Sequence, residues 1–228
     1  VRSMVICDDP AFLFIHVPKA AGTSVAGALV HLDLVRAYKR LKDPAKRAAW
    51  LATKDIPEAV LELPIHVTAS RAKEALGTKE FEALYRFAAV RNPWDMQLSW
   101  YTYNAQTETA PHHKRVIGYA DFNDYVRKHL AEHGTLLGPS PQTQFVYDKD
   151  GKQLVDTILR YEEIEEGFAT VVDKLGITDI ELDRFNQSYH APWTEAYALD
   201  TFEMVKQFAQ PDADAFGYPD EASAYGIS

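Results

Sequence analysis

The hydrophobic pattern is punctuated early in the chain. Residues 12–17, Phe-Leu-Phe-Ile-His-Val, are apolar except for His16. A run without polar alternation is the pattern of a short strand buried on both faces, as in a parallel sheet. Pro18 ends it. Lys19-Ala20-Ala21-Gly22 then form a small-residue turn, and Thr23-Ser24 open an apolar helical run through Val25, Ala26, Leu29 and Val30, reaching about His31 to Leu34. Pro64-Ile-His-Val-Thr-Ala69 is short and partly β-branched, which predicts a second strand ending near His66 to Thr68. Arg86-Phe-Ala-Ala-Val-Arg91 predicts a third buried strand. Pro93 suits the first position of a helix running from Trp94 to about Asn104. Thr157–Tyr161 predicts a fourth strand.

The segments between these strands read as lead-ins, helices and loops. Residues 1–11 are a lead-in. Residues 35–63 predict helical excursions broken at Pro44 and Pro57, either a solvated amphipathic face or part of an acceptor surface. Ser70 and Thr78 are N-cap candidates for Arg71–Leu76, closed by Gly77, and for Lys79–Tyr85. Residues 105–120 form a polar connection, an acceptor-side loop or a plain surface loop. Asp121 caps a helix from Phe122 to His133. Phe145 to Val155 predicts a short hairpin around Asp148–Gly151. Glu162–Leu175 predicts a helix closed by Gly176, and Glu195 to Ala209 a final one.

Two of these strand–turn–helix units carry candidate chemistry. At the first, loop amides and a helix N-terminus aim donors at one spot, the architecture of an anion cradle. The N–H groups of Ala21, Gly22, Thr23 and Ser24 would line it, Lys19 adds a charge, and Thr23 and Ser24 add hydroxyls. The order is not that of a Walker A loop, where the lysine follows the glycine. At the second, Arg91 ends a strand and Ser99 lies two turns along the next helix. A guanidinium fork and a hydroxyl there can hold a second phosphate. A helix-capping ion pair of Arg91 with Asp95, with Ser99 an incidental contact, is the alternative. His66, at a strand end, would face the same sheet edge as the first loop and could take a hydroxyl proton. A satisfied buried histidine is the other reading. His16 precedes the cradle and would orient the loop through a hydrogen bond.

Composition narrows the function classes. With 228 residues the chain suits one domain, and 46% hydrophobic with 25% charged residues is ordinary for a soluble protein. A net charge of −9 argues against general nucleic-acid binding and against a dense polyanion as acceptor. No stretch approaches a transmembrane span, and no signal peptide is recognisable. The lone Cys7 favours a reducing, cytoplasmic location. The start at Val1 leaves an upstream segment open. His129-Leu-Ala-Glu-His133 formally fits an inverted zinc motif, but no third ligand is identifiable, and no metal site is expected.

Pro18-Lys-Ala-Ala-Gly-Thr-Ser24 resembles the 5′-phosphosulfate loop of sulfotransferases, which use 3′-phosphoadenosine 5′-phosphosulfate (PAPS) and release the bisphosphate PAP. Arg91-Asn-Pro-Trp-Asp-Met-Gln-Leu-Ser-Trp-Tyr101 resembles the 3′-phosphate motif of the carbohydrate-type group that includes heparan sulfate 2-O-sulfotransferase and bacterial relatives. Ala20 stands where threonine is common in that group, and Met96 where arginine is common. Residues 64–69, 158–168, 185–190 and 216–218 resemble later family segments. The resemblance implies a single α/β domain over residues 1–228, a P-loop-like parallel sheet flanked by helices on both faces. It implies PAPS as donor, no metal, and a hydroxyl of a carbohydrate or small molecule as acceptor. Lys19 would serve the leaving phosphate, Ala21 to Ser24 the phosphosulfate, and Arg91 with Ser99 the 3′-phosphate. His66 would be the base, with His190 a lesser candidate, and Ser188 would touch the nucleotide from the tail. Trp94, Trp100, Tyr101 and Tyr103 are candidates to stack on adenine or sugar, or core residues. A P-loop-type phosphotransferase, a catalytically silent nucleotide- or glycan-binding module and a zinc hydrolase are the rival readings.

Overall fold

The computed structural model describes residues 4–54, 56–138, 141–182 and 192–228. In chain order its elements are β1 (Val5–Asp8), β2 (Ala11–Ile15), α1 (Gly22–Ala28), α2 (Leu34–Arg40), α3 (Pro44–Leu51), α4 (Glu58–Leu61), α5 (Ala69–Leu76), α6 (Thr78–Ala83), β3 (Tyr85–Val90), α7 (Pro93–Gln106), α8 (His113–Val116), α9 (Phe122–His133), α10 (Thr143–Val146), β4 (Thr157–Arg160), α11 (Ile164–Lys174), α12 (Trp193–Ala196) and α13 (Leu199–Phe216). They fall into two compact units, Val1–Val90 with Gln144–Asn186 and Arg91–Thr143 with Gln187–Ser228.

The first unit holds a sheet of order β1-β2-β3-β4. β2, β3 and β4 run parallel, with Ile15 opposite Ala88 and Val90 opposite Arg160. Phe12, Phe14, Phe87, Ala89 and Leu159 pack with Val25 and Ala26 of α1 and with Phe168, Val171 and Val172 of α11. The alternate residues Leu13, Ile15, Ala88 and Val90 are fully buried as well. Both faces of these strands are therefore covered, which is why their sequences are unbroken apolar runs. Each fully buried large side chain contributes about 1.5–3 kcal/mol.

Five details depart from the sequence pattern. The lead-in contains β1, which pairs antiparallel with β2, Val5 opposite Phe14, and closes the sheet's edge. The strand expected over residues 64–69 does not form. Pro64 has no N–H to give a ladder, and the one sheet-like bond runs from the Met4 N–H to the Ile65 carbonyl at 3.2 Å. Thr68, instead of ending a strand, caps α5 by accepting from the Arg71 N–H at 3.2 Å, displacing Ser70 from that role. Gly77 closes α5 and also occupies the N-cap of α6, so Thr78 is helical and caps nothing. The expected hairpin near Phe145 is α10 followed by a single bridge, Tyr147 with Gln153, around the Asp148–Gly151 turn.

Asp33 shows how tightly this unit is packed. Its carboxylate caps α2, accepting from the Val35 N–H at 3.0 Å, while only 7% exposed. Burial pushes its carboxyl up from 3.8 to about 6. A carboxyl whose folded value lies above its unfolded one binds protons more readily in the folded state. Stability is then lost as pH rises from about 4 through 6, and the charged form is penalised above that. Asp33→Asn keeps the capping oxygen and removes the charge. The variant is expected to be more stable by roughly 2–3 kcal/mol at pH 7.5, with the gain vanishing near pH 4. Urea midpoints at the two pH values check this; a variant weaker at both would refute it.

The second unit is helical. Trp94 stacks on Phe202 at 4.6 Å and 2° between α7 and α13. Its Nε1 donates to the Phe202 carbonyl at 3.2 Å, and the buried Tyr197 hydroxyl donates to the Trp94 carbonyl at 2.9 Å. Trp94 is thus a core residue and no nucleotide platform. Trp100 and Tyr101 pack on Tyr125 of α9, and Tyr103 is exposed. α9 has the expected bounds and the expected Asp121 cap. α13 extends past Ala209 and through Pro211 to Phe216. No helix among the described residues is long and apolar enough to cross a membrane.

Candidate functional site

The turn after β2 has an unusual backbone. Lys19 has φ 63° and Ala21 has φ 59°, left-handed values for residues that carry a Cβ. Each costs about 1–2 kcal/mol relative to the right-handed form. Left-handed residues alternating with ordinary ones curl successive N–H groups toward one point, the nest geometry that binds anions. The N–H groups of Ala20, Ala21 and Gly22 donate to no acceptor among the described residues. The Ser24 N–H, expected to face a ligand, donates instead to the Ala21 carbonyl at 2.9 Å and tightens the first turn of α1. α1 ends at Ala28, short of the expected His31. Strain held at a turn of this kind is a marker of function.

Gly22 is required by a close approach. A Cβ built there would lie 1.8 Å from Cδ2 and 2.2 Å from Nε2 of His16. The His16 ring is buried against the turn and meets the His66 ring edge-on at 4.7 Å. His66 Nδ1 lies 3.1 Å from the His16 carbonyl. A carbonyl only accepts, so Nδ1 carries the proton and Nε2 keeps its lone pair. His66 lies in a bend before α5, not at a strand end, and is exposed. The loop, His16 and His66 are therefore one assembly in the first unit. His16 acts through its ring and its carbonyl, a role only partly legible in the sequence.

Asp95 and Ser99 lie four residues apart on one stripe of α7, and Arg91 stands just before the helix's cap, Asn92. Asn92 caps that helix, accepting from the Trp94 and Asp95 N–H groups at 3.0 and 3.3 Å. The guanidinium Nε of Arg91 donates to Asp95 Oδ2 at 2.6 Å, with both side chains buried. Asp95 Oδ1 has no hydrogen-bond partner among the described residues. The ion pair foreseen as an alternative is real, and it fixes Arg91 through one edge of its fork. A buried ion pair is weak evidence for stability. Ser99 is buried, 1% exposed. The main chain of Arg91 is clamped by Gln142, a residue that no motif or periodicity singles out.

Ser188 and His190 lie outside the described residues. His129 of the zinc-like motif is buried and pairs through Nδ1 with the Tyr119 hydroxyl at 3.0 Å; burial first, then His133, lowers its pKa. No group of three or more His, Cys, Asp or Glu able to hold a metal occurs among the described residues.

A family model described as "Sulfotransferase family" matches residues 2–218. Comparison with curated proteins returns no match.

Proposed function

The chain belongs to the sulfotransferase family, and from that premise we propose that it moves a sulfuryl group from PAPS to a hydroxyl of a carbohydrate or small molecule. The observation that carries the reading is the strained turn at Lys19 and Ala21, whose curled amides suit an anionic oxygen cluster. Lys19 offsets charge that grows on the leaving 5′-phosphate. The turn amides and the Thr23 and Ser24 hydroxyls hold the phosphosulfate. Arg91 and Ser99 hold the 3′-phosphate that distinguishes PAPS from ATP. Nε2 of His66 takes the acceptor's hydroxyl proton as its oxygen bonds to sulfur and the sulfur–phosphate oxygen bond breaks. Positioning and preorganised donors supply most of the rate in such transfers. The net charge of −9 favours a neutral or weakly charged acceptor.

Calorimetric titration with PAP, alongside transfer of labelled sulfate from PAPS into a panel of glycans and small hydroxyl compounds, tests the reading. Wild type is expected to bind PAP, and Lys19→Ala and Arg91→Ala to weaken it by about tenfold or more, as loss of a charge-assisted phosphate contact implies. Equal binding by both variants, or magnesium-dependent ATP turnover in place of sulfate transfer, would overturn it. PAP binding without transfer to any acceptor would mark a silent binding module.

A further inference from the structure

Arg91 stands one residue past the end of β3, where the strand register stops at Val90. Its peptide groups are buried, and buried peptide groups need partners. They find them in a side chain. Gln142, fully buried, accepts from the Arg91 N–H through Oε1 at 2.8 Å and donates from Nε2 to the Arg91 carbonyl at 2.7 Å. The primary amide thus does what a neighbouring strand would do for one residue. Gln142 is itself held. Asp212 of α13 accepts from the Gln142 N–H at 2.9 Å and from Nε2 at 3.2 Å, and from the Thr143 N–H at 2.9 Å. Asp212 is 1% exposed. Burial raises its pKa, and the hydrogen bonds from Gln142 and Thr143 act against that rise.

A buried amide and a buried carboxylate are costly unless fully paired. Here Gln142 holds both backbone groups of one arginine and Asp212 holds Gln142, while the guanidinium is fixed separately by Asp95. We propose that Gln142 and Asp212 are positioning residues for Arg91: they set the height and direction of its guanidinium for the 3′-phosphate of the donor. This rests on the reading of Arg91 given above. Neither residue touches the nucleotide in this scheme. Their effect is confined to the phosphate that Arg91 meets.

That confinement supplies the test. Adenosine 5′-phosphate lacks the 3′-phosphate that PAP carries. Calorimetric dissociation constants for both nucleotides are measured on wild type, Gln142→Met, Asp212→Asn and Arg91→Lys. Wild type is expected to prefer PAP strongly. Gln142→Met keeps length and loses both bonds; Asp212→Asn turns one acceptor into a donor facing N–H groups. Each is expected to weaken PAP at least tenfold and to change adenosine 5′-phosphate less than twofold. Equal weakening of both nucleotides would mean a merely structural role, and an unchanged preference in a folded variant no role; either overturns the proposal. If wild type shows no preference, or Arg91→Lys keeps it, the reading of Arg91 itself falls. If the variants do not fold, the wild-type Gln142 side-chain amide resonance decides. It is expected to shift with PAP and not with adenosine 5′-phosphate; a shift with both, or with neither, overturns the proposal.

Discussion

His66→Gln is expected to lower the turnover of sulfate transfer by 10²–10⁴, the usual contribution of a general base, while PAP affinity changes less than threefold. The expectation follows from one bond. The His16 carbonyl at 3.1 Å fixes the proton on Nδ1 of His66, leaving Nε2 as an acceptor on an exposed ring. Glutamine retains a donor for that carbonyl and offers no basic nitrogen. Single-turnover rates with PAPS, set beside PAP calorimetry, separate the two effects. Retention of most of the wild-type rate would remove His66 from the chemistry. A parallel loss of PAP binding would make it a support for the loop.

The sequence placed His66 near the cradle by a faulty route. The residue pattern predicts a strand over residues 64–69 ending near His66 to Thr68, yet Pro64 has no N–H to give a ladder and Thr68 is spent on capping α5. The histidine reaches the cradle through a carbonyl on β2's continuation, a contact fifty residues distant in sequence with no local pattern. β2 and β3 were legible because burial on both faces leaves an unbroken apolar run. β1 was available in principle: Val5-Ile-Cys7 and Phe12-Leu-Phe14 flank Asp8-Asp9-Pro10, and Asp and Pro are turn residues. The left-handed turn was not legible, because lysine and alanine carry no signal for positive φ. The small-residue run after Pro18 marked a turn at those positions, but not its handedness. Gln142 and Asp212 escaped for the same reason as His66's true anchor. Long-range pairing of single polar residues leaves no periodicity to read.

Gly22→Ala is expected to abolish measurable PAP binding, a loss of at least a hundredfold, although alanine is the better helix former by about 1 kcal/mol. The new methyl would sit 1.8 Å from His16 Cδ2, far inside contact distance. The imidazole has little room to withdraw. It is 5% exposed, stacked toward Phe14 at 6.1 Å and edge-on to His66 at 4.7 Å. The loop, already strained at Lys19 and Ala21, is therefore the part that yields. A generic loss of flexibility at Gly22 would not be relieved by a change at His16. Removing the ring should relieve the clash, so His16→Ala/Gly22→Ala should recover at least tenfold of the affinity lost by Gly22→Ala. Residues in contact are coupled, and the coupling here should be of positive sign for binding. The His16 carbonyl survives the substitution, so the anchor for His66 is retained. Four calorimetric titrations complete the cycle. A double variant no better than Gly22→Ala would show that the glycine is needed for its backbone and not for the space His16 occupies.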